Sequence, residues 1–251
     1  ALYGKAVNGS GSGIYLMGEH DSANVSDSTK IEVTAEYDAF GIVIEGSDTA
    51  SSFGATTIDV TSKTENNNDV HGIKQFGAQT DYADLIINAQ SDGADIFGIS
   101  LVGHDGAGIV EVAGDLNIKA NGNGRYVEVS ALGKLSVSGK TDIDLSSDND
   151  QASMYGVYAQ TGSKLDFADD VQITIATHDG DSRANMYGIY SRTAAEVVFT
   201  KGLTIKNANI GEAVVSEGGN IKINTSGGND VKIEGYIESK SIPENPESET
   251  L

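Results

Sequence analysis

The feature that most constrains the fold of this chain is an internal repeat. The segment Met154–Ala159 reads MYGVYA, and 32 residues later Met186–Ser191 reads MYGIYS. Weaker copies of the same aromatic-glycine pattern are Phe40–Ile44, His71–Gln75 and Phe97–Leu101. Self-similarity at a spacing of about 20 to 50 residues is typical of solenoids and propellers, in which each repeat is one structural unit. We therefore expect stacked copies of one unit.

Each unit continues with two further short segments in which apolar and polar residues alternate. After Met154–Ala159 come Lys164–Phe167 and Val171–Ala176, and after Met186–Ser191 come Glu196–Phe199 and Leu203–Lys206. Such β-branched, period-two segments are typical of half-buried strands. Three strands per roughly 23 to 32 residues predict one coil of a solenoid. The fold class that we predict is all-β, a right-handed, three-sided parallel β-helix.

The repeat is expected to fill almost the whole chain. We predict a single elongated β-helix domain over residues 1–240 and an acidic linker or tail over residues 241–251. Both prolines, Pro243 and Pro246, lie in that tail, which agrees with the absence of proline from central strands. Degenerate copies are expected at Gly13–Leu16 and Gly211–Val215, and a further unit near Gly124. The competing architecture is a sandwich of antiparallel hairpins, which does not explain why three-strand units recur.

Composition excludes several classes of function. The chain carries 37 acidic residues against 16 basic ones, a formal net charge of −21, which repels nucleic acid and anionic lipid. It contains no cysteine, so disulfides and thiolate metal sites are excluded. No charged and then apolar segment opens the sequence, so we expect any signal peptide to lie outside it.

The repeated YGIY or FGI strand, the KLDF-like and LTIK-like strands that follow it, and the absence of cysteine resemble adhesin-type passenger domains of bacterial type V autotransporters. The resemblance covers roughly residues 1–239. It implies export through an outer-membrane β-barrel translocator that lies outside these residues, and display at the cell surface. It also implies the role of an adhesin that binds a glycan or protein on host or bacterial cells.

Two tyrosines of the aromatic-glycine strands are candidates for ligand contact. Strict alternation puts Tyr155, Tyr187 and Phe97 on the inner face, together with the aliphatic residue two positions later. Tyr158 and Tyr190 then face outward in consecutive coils, about one strand spacing apart. Exposed tyrosines suit the stacking of a sugar ring or a protein contact. The alternative is an aromatic ladder that only supports the stacking of strands.

The segments that precede the aromatic-glycine strands are long and polar, as in Ser146–Gln151 and Thr177–Arg183. Because they occupy equivalent places in the coil, we expect them along one edge of the solenoid. We expect no cofactor, although their carboxylates could bind Ca²⁺ through oxygen ligands. The residues concerned are Asp148, Asp150, Asp179 and Asp181. Since aspartate is also common in plain turns, solvated turns are the alternative.

A carbohydrate-active enzyme, either a polysaccharide hydrolase or a lyase, is the alternative function. Inverting hydrolysis needs two carboxylates about 6.5–9.5 Å apart in a cleft, and pairs such as Asp169 with Asp170, or Asp142 with Asp144, are available. Carboxylates are so frequent here that such pairs carry little information. No sequence motif of a serine hydrolase, zinc protease or nucleotide-binding loop is present. We therefore predict a binding protein rather than an enzyme.

Overall fold

The period-two segments of the sequence form parallel β-strands. A computed structural model describes residues 2–5, 9–18, 20–45, 50–63, 68–102, 108–122, 126–131, 133–148, 153–177, 185–207 and 212–240. Within these residues all regular structure is β-strand, and no helix is present. No described segment is therefore a helix that is long and apolar enough to cross a membrane.

The described strands fall into three sheets. Sheet A contains β1 (Leu2–Lys5), β4 (Thr29–Ala35), β7 (Thr56–Ser62), β10 (Leu85–Ser91), β13 (Leu116–Gly122), β16 (Thr141–Ser147), β19 (Val171–Thr177), β22 (Leu203–Asn207) and β25 (Val231–Ile233). Sheet B contains β2 (Gly11–Met17), β5 (Ala39–Glu45), β8 (Asp69–Phe76), β11 (Asp95–Val102), β14 (Tyr126–Ala131), β17 (Ser153–Ala159), β20 (Asn185–Arg192), β23 (Glu212–Glu217) and β26 (Tyr236–Lys240). Sheet C contains β3 (Asn24–Val25), β6 (Ala50–Phe53), β9 (Gln79–Tyr82), β12 (Ile109–Val112), β15 (Lys134–Val137), β18 (Lys164–Phe167), β21 (Glu196–Phe199) and β24 (Asn220–Ile223).

The chain visits the sheets in the fixed order A, B, C and then returns to sheet A one strand further along. Every pairing between these strands is parallel, and each strand pairs with its counterparts in the neighbouring coils. An all-β parallel solenoid is thereby confirmed, and the antiparallel sandwich is excluded for the described residues. The right-handed sense and the three-sided cross-section of the coil stay predictions.

The core is built from identical residues that stack in register. In sheet A, each of seven consecutive strands places an isoleucine at the same inward position, and all seven are fully buried. This isoleucine ladder consists of Ile31, Ile58, Ile87, Ile118, Ile143, Ile173 and Ile205. In sheet C, the inward rings of Phe167 and Phe199 stack with centroids 5.1 Å apart, and those of Phe53 and Tyr82 stack at 5.3 Å.

The glycine of the aromatic-glycine strands lies directly against the isoleucine ladder. A Cβ atom on Gly156 would lie 2.4 Å from Cγ2 of Ile173, and one on Gly188 would lie 2.7 Å from Cγ2 of Ile205. Because glycine has no Cβ, the sheet B backbone can approach these isoleucine side chains of sheet A closely. The equivalent position in β23 is Ala213, so the degenerate copy that we expected at Gly211 is in fact centred two residues later.

The unit expected near Gly124 is represented by β14, which lacks the glycine. Two residues, Gly98 and Ile99, separate Phe97 from Ser100 in β11, whereas one residue separates their partners in β14. The same register shift recurs between β14 and β17. Glycine therefore acts as an inserted residue in the strands that contain it, much as in a β-bulge.

Candidate functional site

The inserted glycine turns two tyrosines of each strand outward. In β17, Gly156 and Val157 are both buried, whereas Tyr155 and Tyr158 are both partly exposed. The same pattern holds in β20 for Tyr187 and Tyr190. Alternation between the two faces is interrupted at the glycine, so residues three positions apart share the outer face.

The prediction that Tyr158 and Tyr190 face outward is confirmed, but the inward assignment of Tyr155, Tyr187 and Phe97 was wrong. The ring centroids of Tyr155 and Tyr158 are 4.9 Å apart, which places both rings on the same side of the strand. Strict alternation failed because it treated the glycine as an ordinary strand residue. Glycine inside a strand pattern is a signal for a bulge or a close backbone approach, and it could have corrected the assignment.

The outward tyrosines of two neighbouring coils form one compact cluster, which we call the tyrosine cluster: Tyr155, Tyr158, Tyr187 and Tyr190. The rings of Tyr155 and Tyr187 stack at 4.9 Å, because these residues are register partners in β17 and β20. The ring of Tyr190 meets those of Tyr187 and Tyr158 edge to face, at 5.1 and 5.7 Å. Offset-stacked and edge-to-face geometries are the favourable ones for aromatic rings.

One side of the tyrosine cluster is bordered by an arginine and a glutamate. The hydroxyl of Tyr190 donates a hydrogen bond of 3.0 Å to Oε2 of Glu217, and Nε of Arg192 lies 3.5 Å from the same oxygen. Nη1 of Arg192 donates to the hydroxyl of Tyr158 at 3.4 Å. Burial, and then the hydrogen bond to Glu217, raise the pKa of Tyr190 to about 12, so its hydroxyl remains a donor at neutral pH.

The next coil contributes a second charged border. Nζ of Lys240 lies 3.2 Å from Oε2 of Glu212 and 3.5 Å from Oε2 of Glu238. Burial, and then the negative charge of Glu212, raise the pKa of Tyr187. The cluster is therefore a set of partly exposed aromatic rings whose borders carry paired charges. Such a surface can stack on a ring and exchange hydrogen bonds with polar groups beside it.

Sequence reasoning missed Tyr155, Tyr187, Arg192 and Glu217. The two tyrosines were misassigned at the glycine, as described above. Arg192 and Glu217 each follow a repeat segment, and no local pattern distinguishes them from other surface charges. They meet because Arg192 and Glu217 are register partners in β20 and β23.

A second aromatic group lies on the outer face of sheet B in earlier coils, and its middle side chain is buried. His71 is 3% exposed and is stacked between Phe40, at 5.4 Å, and Phe97, at 4.5 Å. Nε2 of His71 lies 3.6 Å from Oδ2 of Asp69, which is too far for a hydrogen bond, and the two form an ion pair only when the histidine is protonated. Burial lowers the pKa of His71, Asp69 opposes that shift, and the positive charge of Lys74 adds to it. Nζ of Lys74 lies over the Phe40 ring, 5.3 Å from its centroid. In this group only His71 is buried, whereas the flanking Phe40 and Phe97 are partly exposed.

The predicted Ca²⁺ site falls mostly outside the part of the chain that the structure describes. Asp148 is exposed at the end of β16, whereas Asp150, Asp179 and Asp181 lie outside the described residues. Among the described residues, no three or more histidine, aspartate or glutamate side chains are grouped so that they could hold a metal ion. Calcium binding by these loops stays a prediction.

Two separate shallow pockets lie beside turns between sheets C and A, and aspartates line both. One, of about 690 Å³, includes Asp84 and Asp115, and the other, of about 630 Å³, includes Asp142 and Asp170. Oδ1 of Asp84 accepts the backbone N–H of Asp115, and Oδ1 of Asp170 accepts that of Gly202. These carboxylates tie each turn to the next, which is a structural task. Asp169 likewise accepts a hydrogen bond from Lys201, at 2.9 Å.

Comparisons with known proteins do not assign the chain to a family. No protein-family model matches the chain, and neither a curated protein nor a solved structure matches it significantly.

Proposed function

We propose that this chain is an adhesin, a surface-displayed solenoid that binds host or bacterial cells through the outer face of sheet B. The observation that carries the proposal is the tyrosine cluster, in which four partly exposed rings are held together by two neighbouring coils. Aromatic residues with a polar tip are enriched at binding surfaces. A solenoid also presents its outer faces as extended surfaces that suit binding.

Several further features support the surface role. The resemblance of the repeats to autotransporter passengers suggests export through a dedicated outer-membrane translocator and display outside the cell. The absence of cysteine is compatible with such a route, because a disulfide would obstruct threading of the unfolded chain. Many copies displayed on one cell would gain strength from avidity even if each contact were weak.

We propose a non-catalytic role in preference to the enzyme alternative. Three of the aspartates that line the two pockets, Asp84, Asp115 and Asp170, accept hydrogen bonds from backbone amides of the turns. The aromatic rings, by contrast, lie on an open strand face. Release of reducing sugar from polysaccharides by the purified chain would contradict this choice.

The proposal is tested by displaying the purified chain on beads and counting the host or bacterial cells that attach. We expect the double variant Tyr158→Ala/Tyr190→Ala to lose most of the attachment, because it removes half of the rings in the cluster. The matched control is Thr174→Ala/Thr204→Ala, which changes two partly exposed residues of sheet A in the same coils. Attachment that is equal for wild type and both variants would refute the assignment to the tyrosine cluster.

The acidic loops are tested in the same assay. Changing Asp148, Asp150, Asp179 and Asp181 to asparagine removes the charges that Ca²⁺ binding would need. If these loops contribute through Ca²⁺, attachment of the wild type falls on addition of a chelator and attachment of the variant does not. No effect of either change would remove the loops from the binding surface.

A further inference from the structure

We infer that the tyrosine cluster binds a neutral glycan, with a sugar ring packed on the tyrosine rings and its hydroxyls bridged by Arg192 and Glu217. This inference rests on the proposed adhesin function and names the class of its ligand. It follows from the rings, the polar pair beside them and the sign of the surrounding charge.

The rings supply the apolar part of such a site. A pyranose has one face of C–H groups that packs on aromatic rings, and its hydroxyls project around the edge. The tyrosine cluster presents the same division, since its rings are grouped within 4.9–5.7 Å and its hydroxyls meet polar partners at the border. Tyrosine is suited to such contacts because its ring is apolar and its tip is polar.

Arg192 and Glu217 supply the polar part. A sugar hydroxyl both donates and accepts, so two neighbouring hydroxyls are best met by one acceptor and one donor held side by side. Oε2 of Glu217 and Nε of Arg192 are 3.5 Å apart, and the hydroxyl of Tyr190 fixes that oxygen from the protein side. The side chain of Arg192 is 50% exposed and that of Glu217 is 26% exposed, so both remain accessible.

The charge around the cluster selects against acidic sugars. Three carboxylates, Glu212, Glu217 and Glu238, border it together with the cations Arg192 and Lys240, and each cation lies within 3.5 Å of a carboxylate. The whole chain carries a net charge of −21. An anionic ligand, such as a sialylated or sulfated glycan, would meet repulsion at long range, and both described cations at the site, Arg192 and Lys240, are already paired with carboxylates.

A protein partner fits the cluster less well than a glycan does. An ordinary protein interface buries about 800 Å² on each partner around a dry, apolar centre. The tyrosine cluster spans only two strands, and ion pairs begin at its edge. A small aromatic surface with hydrogen-bonding borders matches one or two sugar rings.

The deciding experiment is an array of immobilised glycans probed with the full chain. The array carries neutral oligosaccharides that end in glucose, galactose, mannose or N-acetylglucosamine, beside sialylated and sulfated counterparts. We expect binding to at least one neutral series and none to its acidic counterpart. Glu217→Gln is expected to weaken binding about tenfold, since a neutral amide oxygen replaces the charged carboxylate as hydrogen-bond acceptor. Tyr158→Ala is expected to reduce it further, and Tyr158→Phe, which keeps the ring, much less.

A matched control is available on another sheet. Glu196→Gln breaks the exposed ion pair between Glu196 and Lys222 on sheet C, whereas the tyrosine cluster lies on sheet B. It removes the same charge as Glu217→Gln and should leave glycan binding unchanged. Thermal unfolding followed by circular dichroism verifies that each variant is folded. The inference is overturned if no neutral glycan binds, if acidic glycans bind equally well, or if Glu217→Gln and Glu196→Gln behave alike.

Attachment to cells separates this inference from the proposed function. Mild periodate cleaves vicinal diols of cell-surface sugars and should abolish attachment of the wild-type beads. Attachment that survives periodate but is lost in Tyr158→Ala would indicate a protein ligand, so the adhesin role would stand and the glycan inference would fall. Neutral glycan binding on the array without attachment to any cell would keep the inference about the site and remove the adhesin role.

Discussion

Replacing Gly156 by alanine tests the structural reason for the tyrosine cluster. The added Cβ would lie 2.4 Å from Cγ2 of Ile173 and 2.6 Å from the backbone oxygen of Gly188. Carbon atoms prefer about 3.5–4.0 Å, so the strand must move by about an ångström against a hydrogen-bonded neighbour. Such overpacking costs about 1–3 kcal/mol, partly offset by about 0.4–1 kcal/mol from the stiffer unfolded chain. We expect a net loss of about 1–2 kcal/mol.

Thermal unfolding followed by far-ultraviolet circular dichroism measures this loss. For a chain of this size, about 1 kcal/mol shifts the midpoint by roughly 2–4 °C, so the midpoint of Gly156→Ala should fall by about 2–8 °C. The matched control is Gly9→Ala, where a Cβ meets no atom within 4 Å. It makes the same change in the unfolded chain and should leave the midpoint unchanged or slightly higher. Equal midpoints for the two variants would refute the close approach of the glycine to the isoleucine ladder.

Three further predictions concern the core and its response to pH. Ile189→Asp puts an unpaired charge at a fully buried position and should lower the free energy of unfolding by several kcal/mol. Tyr190→Ala, on the outer face, should lower it by about 1 kcal/mol. A lower denaturant midpoint for Tyr190→Ala than for Ile189→Asp would contradict the assignment of the two faces. Tyr82→Phe removes a buried hydroxyl that has no hydrogen-bond partner, so the free energy of unfolding should stay equal or rise by about 1–3 kcal/mol, and a clear fall in the urea midpoint would contradict this. Because burial lowers the pKa of His71, the unfolded chain binds a proton at this residue more readily than the folded chain does. The free energy of unfolding should therefore be highest above about pH 6.5, the pKa of an unburied histidine, and should decrease as the pH falls below it. Urea midpoints at pH 7.5 and 5.5 check this, and His71→Phe should show a smaller decrease than the wild type; an equal decrease would place the pH dependence elsewhere.

Much of the fold could be predicted because its rule is local. Alternation in segments such as Val171–Ala176 shows which residues face inward, and recurrence of the segments predicts that like strands stack on like. The outward position of Tyr158 and Tyr190 followed from the same rule. The rule failed at Gly156 and Gly188. There the strand contains one extra residue, which packs against an isoleucine of sheet A, so the alternation of faces is interrupted.

The sequence by itself determined the strand pattern, the parallel stacking of repeats and the choice of glycine at one position of the unit. These are properties of short segments, and each coil repeats them. Only the tertiary structure decided that Tyr155 and Tyr187 join the outer face, because that depends on how closely the sheet B backbone approaches Ile173 and Ile205. It also decided that Glu217 meets Tyr190, 27 residues earlier, since that contact depends on the register between coils. Coil length varies from one repeat to the next, and the pairing of strands fixes which side chains become neighbours.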